Sequence, residues 1–251
     1  MHVIFVEPIF PANQARFVQA LCEVGASVTA IGEVPVEALP ETLRSRLVGY
    51  EQVPSVCDEE ALLAAVRRIQ SRGWVDRLEA TVEAHVLPAA RVREATGIPG
   101  TTVRTAFLCR DKPAMKEALR EAGVACARSA GIASADDARA FVAQVGYPVI
   151  VKPRAAAGAA ATERIDSDEA LARALAEHGV DRGREAAIEE FVEGHEAFFD
   201  TLTVGGEIVH GFISHYYPGV LEAMRTRWIS PYLVTTNRLD AASYGEVWEL
   251  G

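Results

Sequence analysis

Residues 146–162 read GYPVIVKPRAAAGAAAT. Tyr147 to Lys152 is a short apolar run and reads as a buried strand. Ser134 opens the segment before it as a helix cap, and Gly146 closes that helix. Lys152 stands at the strand's end, facing a loop of very small residues. A lysine there can set a point charge on a phosphate, and small side chains let backbone N–H groups approach the same phosphate. The plain alternative is a lysine that merely closes a strand, followed by a helical turn, since alanine is the best helix former.

Working outward, RDKPAMKEALREAGV (110–124) predicts a helix over Asp111–Ala122, closed by Gly123, with Lys112 at its start. Val124 to Gly131 reads as a strand, and Asp166 to Glu177 as a helix capped by Asp166 or Ser167. Ala186 to Val192 and Glu196 to Val204 read as strands. Gly205-Gly206 is a hairpin signal leading into Ile208 to Ser214. Strands joined by such a turn are antiparallel, so this half is α+β. It contains IEEFVEGHE (188–196), an acidic-apolar stretch about 40 residues beyond Lys152. Alone, Lys112 is a solvated lysine and IEEFVEGHE an edge strand ending at Gly194. The order and spacing of the three are more specific than any one of them.

The first half has a different rhythm. Met1 to Val6, Ser27 to Ile31 and Tyr50 to Val53 read as strands; Asn13–Val24, a segment capped by Asp58 and ended by Gly73, and Val86–Thr96 read as helices. Val75 to Val82 fits a strand or a helix. This βαβα alternation predicts a small open parallel sheet with helices on both faces.

The 251 residues suit one large or two modest domains at roughly 100–200 residues each. With 49% hydrophobic and 24% charged residues, disordered and fibrous classes are excluded. Lys plus Arg is 25 against 35 Asp plus Glu, so the net charge of −10 argues against general nucleic-acid binding. No apolar run approaches the roughly 18 residues of a membrane helix, and the N-terminus lacks a basic signal region. Cys22, Cys57, Cys109 and Cys126 are scattered, which fits reduced thiols in a cytoplasm. G-x-S-x-G, H-E-x-x-H and G-x-G-x-x-G are absent, the last arguing against dinucleotide binding by the first half.

The three quoted stretches resemble the ATP-grasp superfamily, and the resemblance covers nearly the whole chain. It implies a Rossmann-like pre-ATP-grasp domain over residues 1–104. An incomplete ATP-grasp fold follows over 105–251, with a small lid subdomain at about 124–192. The fold class is thus α/β followed by α+β. The family clamps ATP between two lobes and activates a carboxylate as an acyl phosphate, which an amine or similar nucleophile attacks. By resemblance, Lys112 and Lys152 contact the ATP phosphates, with Lys152 also near adenine. Glu189 and the backbone carbonyl of Glu190 receive the adenine amino group. The Val192 N–H donates to the ring, Phe191 lines the pocket, and Glu196 holds the ribose hydroxyls. Residues 154–162 correspond to the phosphate lid, although Gly158 is its lone glycine where several are usual.

The family adds magnesium ligands from its C-terminal lobe, an acid and then an E-x-N-like pair. Glu207, Glu222, Asp240, Glu246 and Glu249 form no such motif. No metal ligand is therefore assigned within the chain, and the magnesium ligands are expected beyond Gly251. Ala241 to Leu250 reads as a helix with nothing left to pack against, so a truncated chain is expected, a short relative being the alternative. Arg225 and Arg227 either bind phosphate or carboxylate, as candidate catalytic residues, or line a solvated loop. His195, His210 and His215 lack metal-ligand spacing. The expected function is the ATP-binding part of a cytoplasmic, ADP-forming carboxylate–amine ligase. Its partners are ATP and small carboxylate and amine substrates, with no nucleic acid and no membrane, and homodimers are common in the family. The alternative is a non-catalytic nucleotide-binding or interaction module.

Overall fold

The computed structural model describes residues 1–154, 161–226 and 228–250. The chain divides into two compact units, Met1–Arg110 and Asp111–Gly251.

The first unit runs β1 (His2–Val6), α1 (Gln14–Glu23), β2 (Ser27–Gly32), α2 (Glu41–Arg44), β3 (Leu47–Gln52), α3 (Glu59–Gln70), β4 (Arg77–Glu79), α4 (Val86–Thr96) and α5 (Val103–Arg110). Its sheet has the order β3-β2-β1-β4, and every pairing is parallel. Side chains alternate along β1. Val3 and Phe5 pack with Val18 of α1, and Ile4 and Val6 pack with Leu62 and Val66 of α3 and Val92 of α4. Helices therefore cover both faces, as the alternating sequence predicts. Asp58 caps α3 through bonds from the Glu60 and Ala61 N–H groups at 3.0 and 3.1 Å. α5 has no counterpart in the sequence reading; Ala106 is its buried residue, too little to set a periodic pattern.

The second unit runs α6 (Lys112–Glu121), β5 (Ser129–Ile132), α7 (Ala135–Val145), β6 (Val149–Pro153), β7 (Glu163–Ile165), α8 (Asp168–His178), β8 (Ala186–Glu190), β9 (Ala197–Val204), β10 (Glu207–Tyr217), α9 (Val220–Thr226), β11 (Tyr232–Thr235) and α10 (Gly245–Leu250). It holds two antiparallel sheets, β5-β8-β6-β7 and β11-β10-β9. Ser134 and Asp137 form a reciprocal capping box at the start of α7, and Ser167 caps α8. These helices cover one face of the four-stranded sheet, where Phe141, Leu171 and Leu175 meet Val149, Val151 and Ile188. The alternate residues Ile150, Lys152 and Glu189 fall on the other face. Ile150 stands opposite Glu189 across the β6–β8 ladder, so Lys152 is Glu189's diagonal neighbour.

Three expectations change. The strand read over Val124–Gly131 begins only at Ser129, because the Arg128 N–H goes to the Glu190 carboxylate at 2.9 Å. β11 was not anticipated, and all four of its residues are exposed. The C-terminal helix is a 3₁₀ turn at Ala242–Tyr244 followed by α10, and it does have something to pack against. The Trp248 ring meets Phe199 edge-on with centroids 5.0 Å apart, and its Nε1–H donates to the Leu239 carbonyl at 3.1 Å. The same ring covers Gly211, where an added Cβ would lie 2.7 Å from it.

Candidate functional site

The uncovered face of β6 and β8, the segment after β8 and the start of α9 enclose a cleft of about 940 Å³. That is the scale of a cavity for a nucleotide-sized ligand. Lys112, Lys152, Glu189, Glu190, Phe191, Val192 and Glu196 all line it. Gly158, Arg227 and the Arg225 side chain lie outside the described part of the molecule. Lys112 owes its place to Asp111, which caps α6 by accepting from the Ala114 N–H at 2.9 Å.

Glu189 is the electrostatic centre of the cleft. Lys116 binds one of its oxygens and Lys152 the other. The three side chains are only 13%, 13% and 16% exposed for Glu189, Lys116 and Lys152. Burial pushes the Glu189 carboxyl up, but the two ammonium partners outweigh it and hold it below the usual carboxylate range. The sequence reading missed Lys116. Its signal was the four-residue spacing from Lys112, which puts both lysines on one face of α6.

Glu190 turns away to Arg128, whose Nε donates to it at 2.7 Å. The backbone and guanidinium donors of Arg128 hold Glu190 below its ordinary range. The Arg164 guanidinium lies 4.4 Å over the Phe191 ring, a stacked wall of the cleft. β8 ends at Glu190, so the Val192 N–H is outside the ladder and has no partner among the described residues. Glu196 accepts the Val220 N–H on Oε2 at 2.7 Å. His195 lines the cleft and stands 3.0 Å from His215, which in turn is 2.9 Å from the Tyr244 hydroxyl. Among the described residues no three His, Cys, Asp or Glu side chains gather as a metal set. No described helix is long and apolar enough to cross a membrane.

Residues 111–197 match the family described as carbamoyl-phosphate synthase L chain, ATP binding domain. The chain is 29% identical over 177 residues to the L-arginine-specific L-amino acid ligase of Bacillus subtilis, covering 68% of this chain and 43% of that protein. It is 31% identical over 125 residues to the carbamoyl phosphate synthase large chain of Thermomicrobium roseum, covering 48% and 12%. Among solved structures, N5-carboxyaminoimidazole synthetase from Staphylococcus aureus complexed with ADP superposes with a TM-score of 0.72 at 15% identity, covering 99% of this chain and 61% of that one. The chain thus spans less than half the length of these two curated relatives. The matched segment, which carries the β5-β8-β6-β7 sheet, is thus similar to an ATP-binding domain, and the fold is that of the solved synthetase. In this segment and in its fold the chain is similar to the ATP-grasp superfamily.

Proposed function

We propose that this chain holds the ATP-binding part of an ADP-forming ligase that joins a carboxylate to an amine. The observation that carries this reading is the single cleft in which Lys112 and Lys152 meet the segment Glu189–Glu196. In such a reaction a carboxylate oxygen attacks the γ-phosphorus and ADP leaves. The amine then attacks the acyl carbon and inorganic phosphate leaves.

The roles of the residues follow from their chemistry. Lys112 and Lys152 neutralise the phosphates, whose charge must be stabilised as the phosphoryl group moves. The Glu190 carbonyl accepts from the adenine amino group, and the Val192 N–H, without a partner among the described residues, donates to the ring. Glu189, at the end of β8, adds an acceptor for the amino group. Phe191, stiffened by Arg164, supplies an apolar wall. Glu196 keeps Oε1 for a ribose hydroxyl while Oε2 holds Val220.

The relatives' names, among them L-amino acid ligase and D-alanine–D-alanine ligase, support amino acids as the carboxylate and amine class. The four free thiols accord with a cytoplasmic setting. Magnesium is the family's partner for the phosphates. The acids described here do not gather into a set fit to hold it, so no step is assigned through it. The second reading is a nucleotide-binding module that binds without turnover.

Direct titration with ATP tests the binding reading. Lys152→Ala should weaken ATP binding at least about tenfold, the scale of a lost charge-assisted contact. Affinity unchanged within about twofold would sink the site assignment. Release of phosphate from ATP with an amino acid pair and magnesium present separates the ligase from the module, which binds without turnover.

A further inference from the structure

Two ammonium groups share the one Glu189 carboxylate, and they approach it from different sides. Lys152 stands on the β6 face and lines the cleft, whereas Lys116 reaches from α6 and is not on the cleft wall. Only Lys152 is therefore free to exchange its carboxylate for a phosphate. We infer that Lys116 is a positioning residue that keeps Glu189 charged and in place when Lys152 is drawn onto the nucleotide phosphates. The inference rests on the ATP-binding reading above.

The physical reason is the cost of a buried anion. With Lys152 gone to a phosphate and no Lys116, Glu189 would face an almost water-free environment with no cation bonded to it, and such a carboxyl takes up a proton. A neutral acid accepts a hydrogen bond from an adenine amino group more weakly than a carboxylate. Lys116 prevents that loss without touching the nucleotide. Among the described residues no other charge around Glu189 replaces it. Glu190, its neighbour on β8, is an anion already paired with Arg128. Across the ladder it faces Ser129 of β5 and Ile150 of β6, neither of which is charged. Lys112 lies one helical turn before Lys116 and lines the cleft on the phosphate side of the proposed site, and Arg164 lies over Phe191 and pairs with Asp166.

The test is calorimetric titration of the 251-residue chain with ATP at pH 6 and pH 8, each in two buffers of different ionisation enthalpy. The buffer dependence reads the protons taken up on binding. Lys116→Met should bind ATP about tenfold more weakly at pH 8, the cost of trading a charged acceptor for a neutral one. At pH 6 the deficit should shrink, and the variant should take up close to one proton more per ATP than the unmodified chain. Lys116→Arg retains the charge and should bind without that extra proton. ATP binding by the unmodified chain, with Lys116→Met matching it in affinity and proton uptake, overturns the inference and leaves the reading intact. Extra proton uptake by Lys116→Arg overturns it too, even if the methionine variant does not fold. An unmodified chain that binds no ATP overturns the reading and the inference together.

Discussion

The Arg154 guanidinium lies across the Asp111 carboxylate, with Nε 2.5 Å from Oδ2. Asp111 is at the same time the cap of α6, and the Lys112 N–H points to the Arg154 carbonyl at 3.5 Å. One carboxylate thus ties the start of the helix that carries Lys112 and Lys116 to the end of the strand that carries Lys152. The spacing of the cleft lysines depends on this tie as much as on the lysines themselves.

Asp111→Ala should therefore cost about 2 kcal/mol in urea denaturation, combining a lost cap with a lost partly buried partner. Asp111→Asn keeps a cap acceptor and loses the charge, and should cost about half as much. Equal losses for the two variants would show that the ion pair with Arg154, not the cap, accounts for the effect.

Glu189 sets a pH dependence of stability. Its folded pKa lies below its unfolded value, so its contribution is fully present above the unfolded pKa of about 4.3 and is lost as pH falls through the folded value. Melting temperature followed from pH 7 to pH 3 should fall more steeply below about pH 4 for the unmodified chain than for Glu189→Gln. At pH 7 the glutamine variant should be about 3 kcal/mol less stable, because two largely buried ammonium groups lose their counter-charge. Parallel pH profiles would remove Glu189 as the group responsible.

Glu196 is expected to distinguish sugars. The unmodified chain should prefer ATP over 2′-deoxy-ATP by about tenfold, the worth of a hydrogen bond to a charged group. Glu196→Ala should bind both nucleotides alike and more weakly than the parent binds ATP. A preference that survives the substitution would assign the ribose to another residue.

The packing of α10 can be tested at Gly211, where an added methyl meets the Trp248 ring 2.7 Å away and Phe199 3.0 Å away. Gly211→Ala should lower stability by about 1–3 kcal/mol through overpacking. In the Trp248→Ala background the same change should cost markedly less, because the obstructing ring is gone. Additive losses in a thermal melt of the double variant would mean that α10 does not sit on β10 in solution.

Local rules carried much of this fold into the sequence. The alternation of Val3 and Phe5 with Ile4 and Val6 anticipates a strand buried on both sides, and Asp58, Ser134 and Ser167 occur where caps are required. Gly205 and Gly206 both take positive φ, 61° and 89°, as their hairpin needs. What escaped was decided at longer range. Arg128 turns to a carboxylate 62 residues away instead of entering a strand. The exposed face of β11 gives no period-2 contrast to read. Lys116 looked like any surface lysine until β8 brought Glu189 to it across 73 residues. The cleft residues carried over from the resemblance do line one cavity, but nothing along the chain showed that Glu189 would be held by two lysines at once.

The trio of Lys116, Glu189 and Lys152 also bears on how relatives diverge. Two cations and one anion leave a single positive charge in a nearly dry place. Glu189 cannot change sign or vanish without setting two ammonium groups against each other, and Lys116 cannot vanish without leaving the carboxylate bare once Lys152 turns to a phosphate, so substitutions at 116 and 189 are expected to arrive as pairs. A homologue with an uncharged residue at position 116 should differ at position 189 as well. Covariation between these two columns, which no local feature of either segment requires, would be the evolutionary trace of a shared carboxylate.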